Sequence, residues 1–146
     1  MVHKYTSFPN HLQVPDVELR RYMAANLMAD RLPRRLPSPD EEPDEIVRRT
    51  ILKRSANLVL PQMWPTEKVE PSESIRRELV KSIDSSGLPA KLPTVHEESS
   101  FIIRRILADE LPASALPSSI PNIADEPDQK VREILAYRLN HHRRAK

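Results

Sequence analysis

The amino-acid sequence predicts a mainly α-helical fold: an elongated tandem array of five short helices of about 13 residues each, joined by extended, proline-rich, polyproline-like arms, with no sheet. Three observations predict it. Leu-Pro recurs every 28 residues, at Leu32-Pro33, Leu60-Pro61, Leu88-Pro89 and Leu116-Pro117, and a second apolar-Pro pair follows four residues after each, at Leu36-Pro37, Trp64-Pro65, Leu92-Pro93 and Ile120-Pro121. Between these arms, apolar residues stand in the i, i+4, i+8 rows that make one stripe of a helix. Finally, 15 Pro stand against a single Gly, Gly87, which leaves neither the Gly-rich turns nor the alternating runs that a sheet or barrel requires.

The period divides the chain into an N-terminal half-unit (1–14), four repeats (15–42, 43–70, 71–98 and 99–126) and a truncated fifth repeat with a basic tail (127–146). Each repeat opens at Pro15, Pro43, Pro71, Ser99 or Pro127. A Pro there is read as the first helical position, where its missing N–H costs no hydrogen bond. Acidic residues around it, such as Glu41, Glu42, Asp44, Glu45, Glu70 and Glu73, suit the positive end of the helix dipole, and Lys53, Arg54 and Arg138 suit the negative end.

Counted from the opening residue, the columns are regular. The fifth position holds Leu19, Val47, Ile75, Ile103 and Val131, and the ninth holds Met23, Ile51, Leu79, Leu107 and Leu135. The thirteenth, Leu27, Ser55, Ile83, Leu111 and Leu139, extends the stripe in four of the copies. The sixth is Arg throughout: Arg20, Arg48, Arg76, Arg104 and Arg132. The seventh is Arg21, Arg49, Arg77 and Arg105, then Glu133.

On a helical wheel the sixth position flanks the stripe and the seventh points away from it. The flanking arginines are therefore expected at the edge of a contact surface, paired with carboxylates of a partner. The competing reading pairs arginines with their own helix's acidic first turn, as in Glu45 with Arg49 or Glu73 with Arg77. Two readings also stay open for the arm columns Leu32, Leu60, Leu88 and Leu116, and Leu36, Trp64, Leu92 and Ile120. They cap their own helix stripes, or they anchor the chain in pockets of a periodic partner, with Trp64 the largest anchor. Helices this short are marginal in isolation, so one of these packings must order them.

Composition removes several function classes. There is no Cys, hence no disulfide or thiolate metal site. The five His, His3, His11, His96, His141 and His142, show no metal-ligand spacing. One Gly cannot build a phosphate cradle, and the carboxylates cluster where helix capping explains them. The expectation is thus a protein that is not an enzyme and has no cofactor or small-molecule substrate. Net charge is only +2, acidic residues alternate with the arginines and aromatics are few, so nucleic acid is not expected. No apolar run reaches a membrane span, and the start, Met1 to Phe8, lacks the apolar core of a signal peptide. A soluble cytoplasmic chain without a membrane partner is expected.

An unbroken period suggests a scaffold whose repeats meet equivalent sites on a periodic protein assembly in register. The arginine columns favour an acidic surface, with tubulin the first choice and actin the second, and a location on the cytoskeleton or in the cilium. In architecture alone the chain resembles the small, extended, Pro-rich proteins that line ciliary doublet microtubules. Pro43, Arg49, Ile51 and Leu52 also resemble part of the RPEL actin-binding repeat. The spacing departs from that motif and its Arg before Pro is missing, so none of its residue roles is carried over. The alternative function is a self-contained helix-plus-arm solenoid serving as a protein or peptide adaptor, or an accessory subunit of a large complex.

Overall fold

A computed structural model describes residues 8–145, with side chains as far as His141. The first seven residues of the N-terminal half-unit, with His3, and the side chains of the basic run after His141 lie outside the described residues. The fold is mainly helical: α1 (Val17–Asn26), α2 (Glu45–Arg54), α3 (Glu73–Ser82), α4 (Phe101–Glu110) and α5 (Gln129–Ala145). Their first residues are 28 apart throughout. Among the described residues there is no strand, only an isolated parallel bridge between Arg35 and Val59. No helix there is long and apolar enough to cross a membrane.

The helix starts lie two residues beyond the expected opening. Pro15, Pro43 and Pro71 precede the caps, and the next residue takes the cap because its side chain accepts a first-turn N–H. Asp16 accepts from Glu18 N, Asp44 from Val47 N, Ser72 from Ile75 N and Ser100 from Ile103 N. Asp128 does the same for Val131 N at 3.0 Å.

The first four helices span ten residues rather than thirteen. Their thirteenth-position residues, Leu27, Ser55, Ile83 and Leu111, are C-caps in extended backbone with ψ of 133–157°. They belong to the arms, not to the helix stripe. At two of these ends tertiary contacts satisfy the last carbonyls. Arg54 of α2 donates to the carbonyls of Ala24 and Leu27 at the end of α1, and Arg138 of α5 donates to those of Ala108 and Leu111 at the end of α4. The orphan carbonyls of one helix are satisfied by an arginine of the next. Only α5, at 17 residues, carries Leu139 inside its helix.

The chain forms two compact units, Met1–Pro61 and Gln62–Lys146. In the first, α2 packs on α1: Val47 and Ile51 are fully buried against Ala24, with Phe8 and Leu58 at the margin. In the second, α4 packs on α3 through Ile103, Leu107 and Val80, and α5 packs on α4 through Val131, Leu135 and Ala108. The rule is the same in both units. The fifth and ninth positions of one helix cover the tenth position of the helix before it.

The arms also follow one another. Leu36 N donates to Val59 O at 3.2 Å in the first unit, while Trp64 N donates to Gly87 O at 2.7 Å and Leu92 N to Ala115 O at 2.9 Å in the second. Each of these bonds joins residues 23 apart. The arms run side by side, and the one glycine lies at a close approach between two of them. A Cβ added to Gly87 would lie 2.0 Å from the Gln62 carbonyl oxygen.

Gly87→Ala should therefore push two backbones apart and lower stability by about 1–3 kcal/mol, seen as a fall in the thermal midpoint by circular dichroism. An unchanged midpoint would mean that the arms are not packed this closely in solution.

Candidate functional site

Three of the flanking arginines, Arg20, Arg76 and Arg104, end in a buried clasp with a glutamate. Arg20 grips Glu42 with Nε and Nη2 at 2.8 and 3.1 Å, Arg76 grips Glu98 at 2.9 and 3.0 Å, and Arg104 grips Glu126 at 2.8 and 3.1 Å. The third guanidinium nitrogen reaches back to the main chain before its own helix: Arg20 to Val14 O, Arg76 to Glu70 O and Arg104 to Glu98 O, at 2.7–2.8 Å. Arg48 is also buried and donates to Glu42 O at 2.8 Å. The glutamates are equally enclosed and accept in addition from the next cap residue: Asp44 N onto Glu42, Ser72 N onto Glu70, Ser100 N onto Glu98 and Asp128 N onto Glu126. Bidentate geometry together with these extra donors is what makes a buried ion pair tolerable.

The carboxylate half of this device is visible in the sequence, beyond the helix-start acidity of Glu42 and Glu70. Glu42, Glu70, Glu98 and Glu126 keep the same 28-residue period as the arginines. That recurrence was the signal.

The outward arginines behave differently. Arg21 holds Asp44 at 2.8–3.0 Å and Arg105 holds Asp128 at 2.9 Å, so each bonds the cap residue of the following helix. Arg105 also lies over the Phe101 ring at 4.6 Å. Where the next cap is Ser72 rather than Asp, Arg49 instead approaches Glu45 of its own first turn at 3.8 Å. The Arg21 and Arg105 guanidinium bonds hold the Asp44 and Asp128 carboxyls below the usual aspartate range, against the opposing effect of burial. Glu41 is lowered as well, first by the Ser38 N–H and then by Arg35.

The expected contact residues fall into three groups. Val47, Ile75, Ile103, Val131, Ile51, Leu79, Leu107 and Leu135 are in the interior, whereas Leu19, 46% exposed, and Met23, half-buried, remain on the free side of α1. Arg20, Arg48, Arg76 and Arg104 are buried as described, and Arg132 is half-buried. In the arms, Leu32 and Leu36 are buried, Leu60, Trp64, Leu88, Leu92 and Leu116 half-buried, and Ile120 exposed. Trp64, Leu88, Leu92 and Leu116 lie against the Ile103 and Leu107 cluster of their own unit.

Each unit has a groove open to solvent beside two of its arms. In the first unit it has about 340 Å³ and is walled by Phe8, Pro9, Pro33, Pro37 and the Glu41 and Glu42 turn. In the second it has about 430 Å³ and is walled by Leu92, Pro93, Pro117, Pro121 and the Asp125 and Glu126 turn. Pro9 and Pro93, Pro33 and Pro117, Pro37 and Pro121, and Glu42 and Glu126 are each 84 residues apart, three periods of the repeat. The same concave surface is thus built twice from equivalent residues. Cations stand at its rim, Arg34 and Arg35 in the first unit and Lys91 in the second. Comparison with protein-family models, with curated proteins and with solved structures gave no match.

Arg104→Met should cost about 3–5 kcal/mol because it strands Glu126 in the interior. Arg105→Met, at a half-exposed pair, should cost far less. Urea denaturation of the two variants measures both, and equal losses would contradict the division between clasp and surface pair. The lowered Asp44 and Asp128 carboxyls also set a pH dependence. Near pH ~4 the unfolded chain binds more protons than the folded one, so their stabilisation is complete above the ordinary carboxylate range and is lost as pH falls through the depressed values. Asp44→Asn with Asp128→Asn should flatten the fall in stability below pH ~4, followed by denaturant titrations across acid pH.

Proposed function

We propose that this chain is a non-enzymatic, tandem helix-plus-arm repeat protein that serves as a scaffold or adaptor, taking hold of proteins through the grooves beside its proline arms. The observation that carries the reading is the recurrence of one groove, with equivalent walls, three periods apart. Fully buried stripes and clasps support a chain whose helices are ordered by their neighbours rather than by a partner. Proline walls and half-buried leucines offer apolar surface to an extended segment, and Arg34 and Lys91 offer charge to an acidic one.

A second reading is favoured by the constant 28-residue step of the helix starts. A unit repeated at one sequence interval suits the repeated elements of a protein polymer, and weak sites in tandem add through multivalency. A cytoskeletal filament, with the microtubule of the cilium first and actin second, is the candidate assembly. Its acidic surface would be met by the groove-rim cations, since Arg20, Arg76 and Arg104 are engaged within the chain.

Hydrogen exchange on the isolated protein tests the first reading: helix amides of both units should be protected in the absence of any partner, and unprotected helices would return the chain to partner-dependent order. Arg34→Trp with Ser118→Trp fills both grooves at exposed positions. In cosedimentation with microtubules and with actin filaments, and in recovery of the native partner, the double variant should lose binding at least tenfold while its melting transition is unchanged. Undiminished binding would remove the grooves from this function.

A further inference from the structure

Several departures of this chain from its own columns collect around one hydroxyl. Of the 15 Pro, only Pro39 and Pro112 stand outside the proline columns of the repeat, and the residues equivalent to Pro39 are His11, Glu67, Val95 and Ile123. Pro39 follows Ser38, and no other Pro in the sequence follows a Ser or Thr. Arg35 and Arg34 stand three and four residues before Ser38, where the later arms have Met63 and Gln62, Lys91 and Ala90, and Ser119 and Ser118. The turn itself does not require a hydroxyl. Ser38 Oγ accepts the Glu41 N–H at 3.3 Å, and in the equivalent turn Asn122 Oδ1 accepts that of Asp125 at 2.9 Å. The repeat therefore accounts neither for the Ser38-Pro39 step nor for the two arginines before it.

The segment is open to a modifying enzyme. Residues 36–38 lie in neither helix nor turn, Ser38 and Pro39 are half-exposed, and Arg34, Arg35 and Asp40 are exposed. A proline after the serine has no N–H to satisfy and keeps the serine in extended backbone, so an enzyme cleft that offers no acceptor at that point takes the segment without orphaning a donor. Next to the hydroxyl, Glu41 serves two partners: Oε1 accepts the Ser38 N–H at 3.1 Å, and Oε2 accepts from Arg35 Nη2 at 2.8 Å. Both side chains of that ion pair are exposed, which makes the pair weak and exchangeable. A phosphate on Ser38 would bring a charge of about −1.5 to −2 and three acceptor oxygens to the same place. It would repel Glu41 and compete with it for the guanidinium.

We propose that Ser38 is a phosphorylation site for a proline-directed Ser/Thr protein kinase, and that its phosphate takes Arg35 from Glu41 and turns the rim of the first-unit groove from cationic to anionic. Ser38 Oγ attacks the γ-phosphorus of ATP. The new O–P bond forms as the bond from that phosphorus to the β,γ-bridging oxygen breaks, ADP leaves with the electron pair, and the hydroxyl proton passes to a carboxylate of the kinase. Arg34, Arg35 and Glu41 all line the first groove, so the phosphate and the released Glu41 outweigh the two arginines there. The second groove has Asn122 in the equivalent position and carries no such switch. A loss of affinity for acidic segments rests on the reading of the grooves as binding sites, whereas the modification and the exchange at Arg35 do not.

Incubation of the folded chain with a proline-directed kinase and MgATP should add one phosphoryl group, mapped to Ser38 by fragment mass spectrometry. Pro39→Ala should abolish the addition with an unchanged circular dichroism spectrum. No incorporation, incorporation at another residue, or incorporation insensitive to Pro39→Ala would overturn the site. In the phosphoprotein, phosphorus NMR should place the second phosphate ionisation below its ordinary value near pH ~6, and Arg35→Gln should restore that value. A phosphate that titrates at its ordinary value would overturn the exchange at Arg35. In cosedimentation with microtubules, phosphorylation should weaken binding at least about threefold, and Ser118→Trp, which fills the second groove, should enlarge the difference. Equal binding of the two forms would overturn the switch. Binding by neither form would remove the function of the grooves, while the mass and NMR results still decide the site and the exchange.

Discussion

The structure depends on one interaction, the buried clasp between an arginine in the first half of a helix and a glutamate 22 residues further on. Neither ion is tolerable alone in the interior, because removing a charge from water costs several kcal/mol unless a partner and further donors replace the hydration. Here they are replaced. The guanidinium also holds a carbonyl six residues before it, and the carboxylate also accepts the cap amide two residues after it. One side-chain pair therefore ties together the approach to its own helix, the helix itself, and the start of the next.

That tie explains why the period does not drift. The arginine-to-glutamate step is 22 residues, the outward arginine-to-cap step is 23, and the arm-to-arm hydrogen bond also spans 23. A single inserted residue would break all three at once, whereas an ordinary loop would absorb it. The repeating columns are almost entirely interior: stripe, arginine, glutamate and arm leucine. The exposed large apolar residues, such as Leu12, Tyr22, Met63, Val69 and Ile123, share no column. Regularity maintains the fold, and the outer surface is left free to vary. The grooves are the exception, because their walls are made of the same prolines that space the arms.

The scarcity of glycine has a matching cause. Helix ends are closed by extended C-caps and by an arginine of the following helix, not by left-handed glycines, so the usual C-terminal glycine is not needed. The turn at Asn57, with φ of 51°, is met by a residue that tolerates the left-handed region. Gly87 is kept for closeness of approach rather than for its own dihedral freedom.

The five helices and the lack of strands were legible in the i, i+4 columns and the proline spacing, because both follow from the local geometry of one chain segment. Helix length was not. The thirteenth column is apolar in four of five copies and continues the stripe by sequence, yet Leu27, Ser55, Ile83 and Leu111 all leave the helix in extended backbone, and at two of these ends an arginine 27–30 residues away takes the carbonyls. The direction of the sixth-position arginines was equally out of reach. A wheel places them beside the stripe but cannot say whether the neighbouring surface is another protein or the next repeat, and the answer lay in a glutamate column 22 residues off. The sequence by itself determined the period, the helices and the arms, all set by residue type and spacing. Only the tertiary structure decided that the charged columns close on each other, because burial of an ion pair depends on what packs around it and not on its neighbours in the chain.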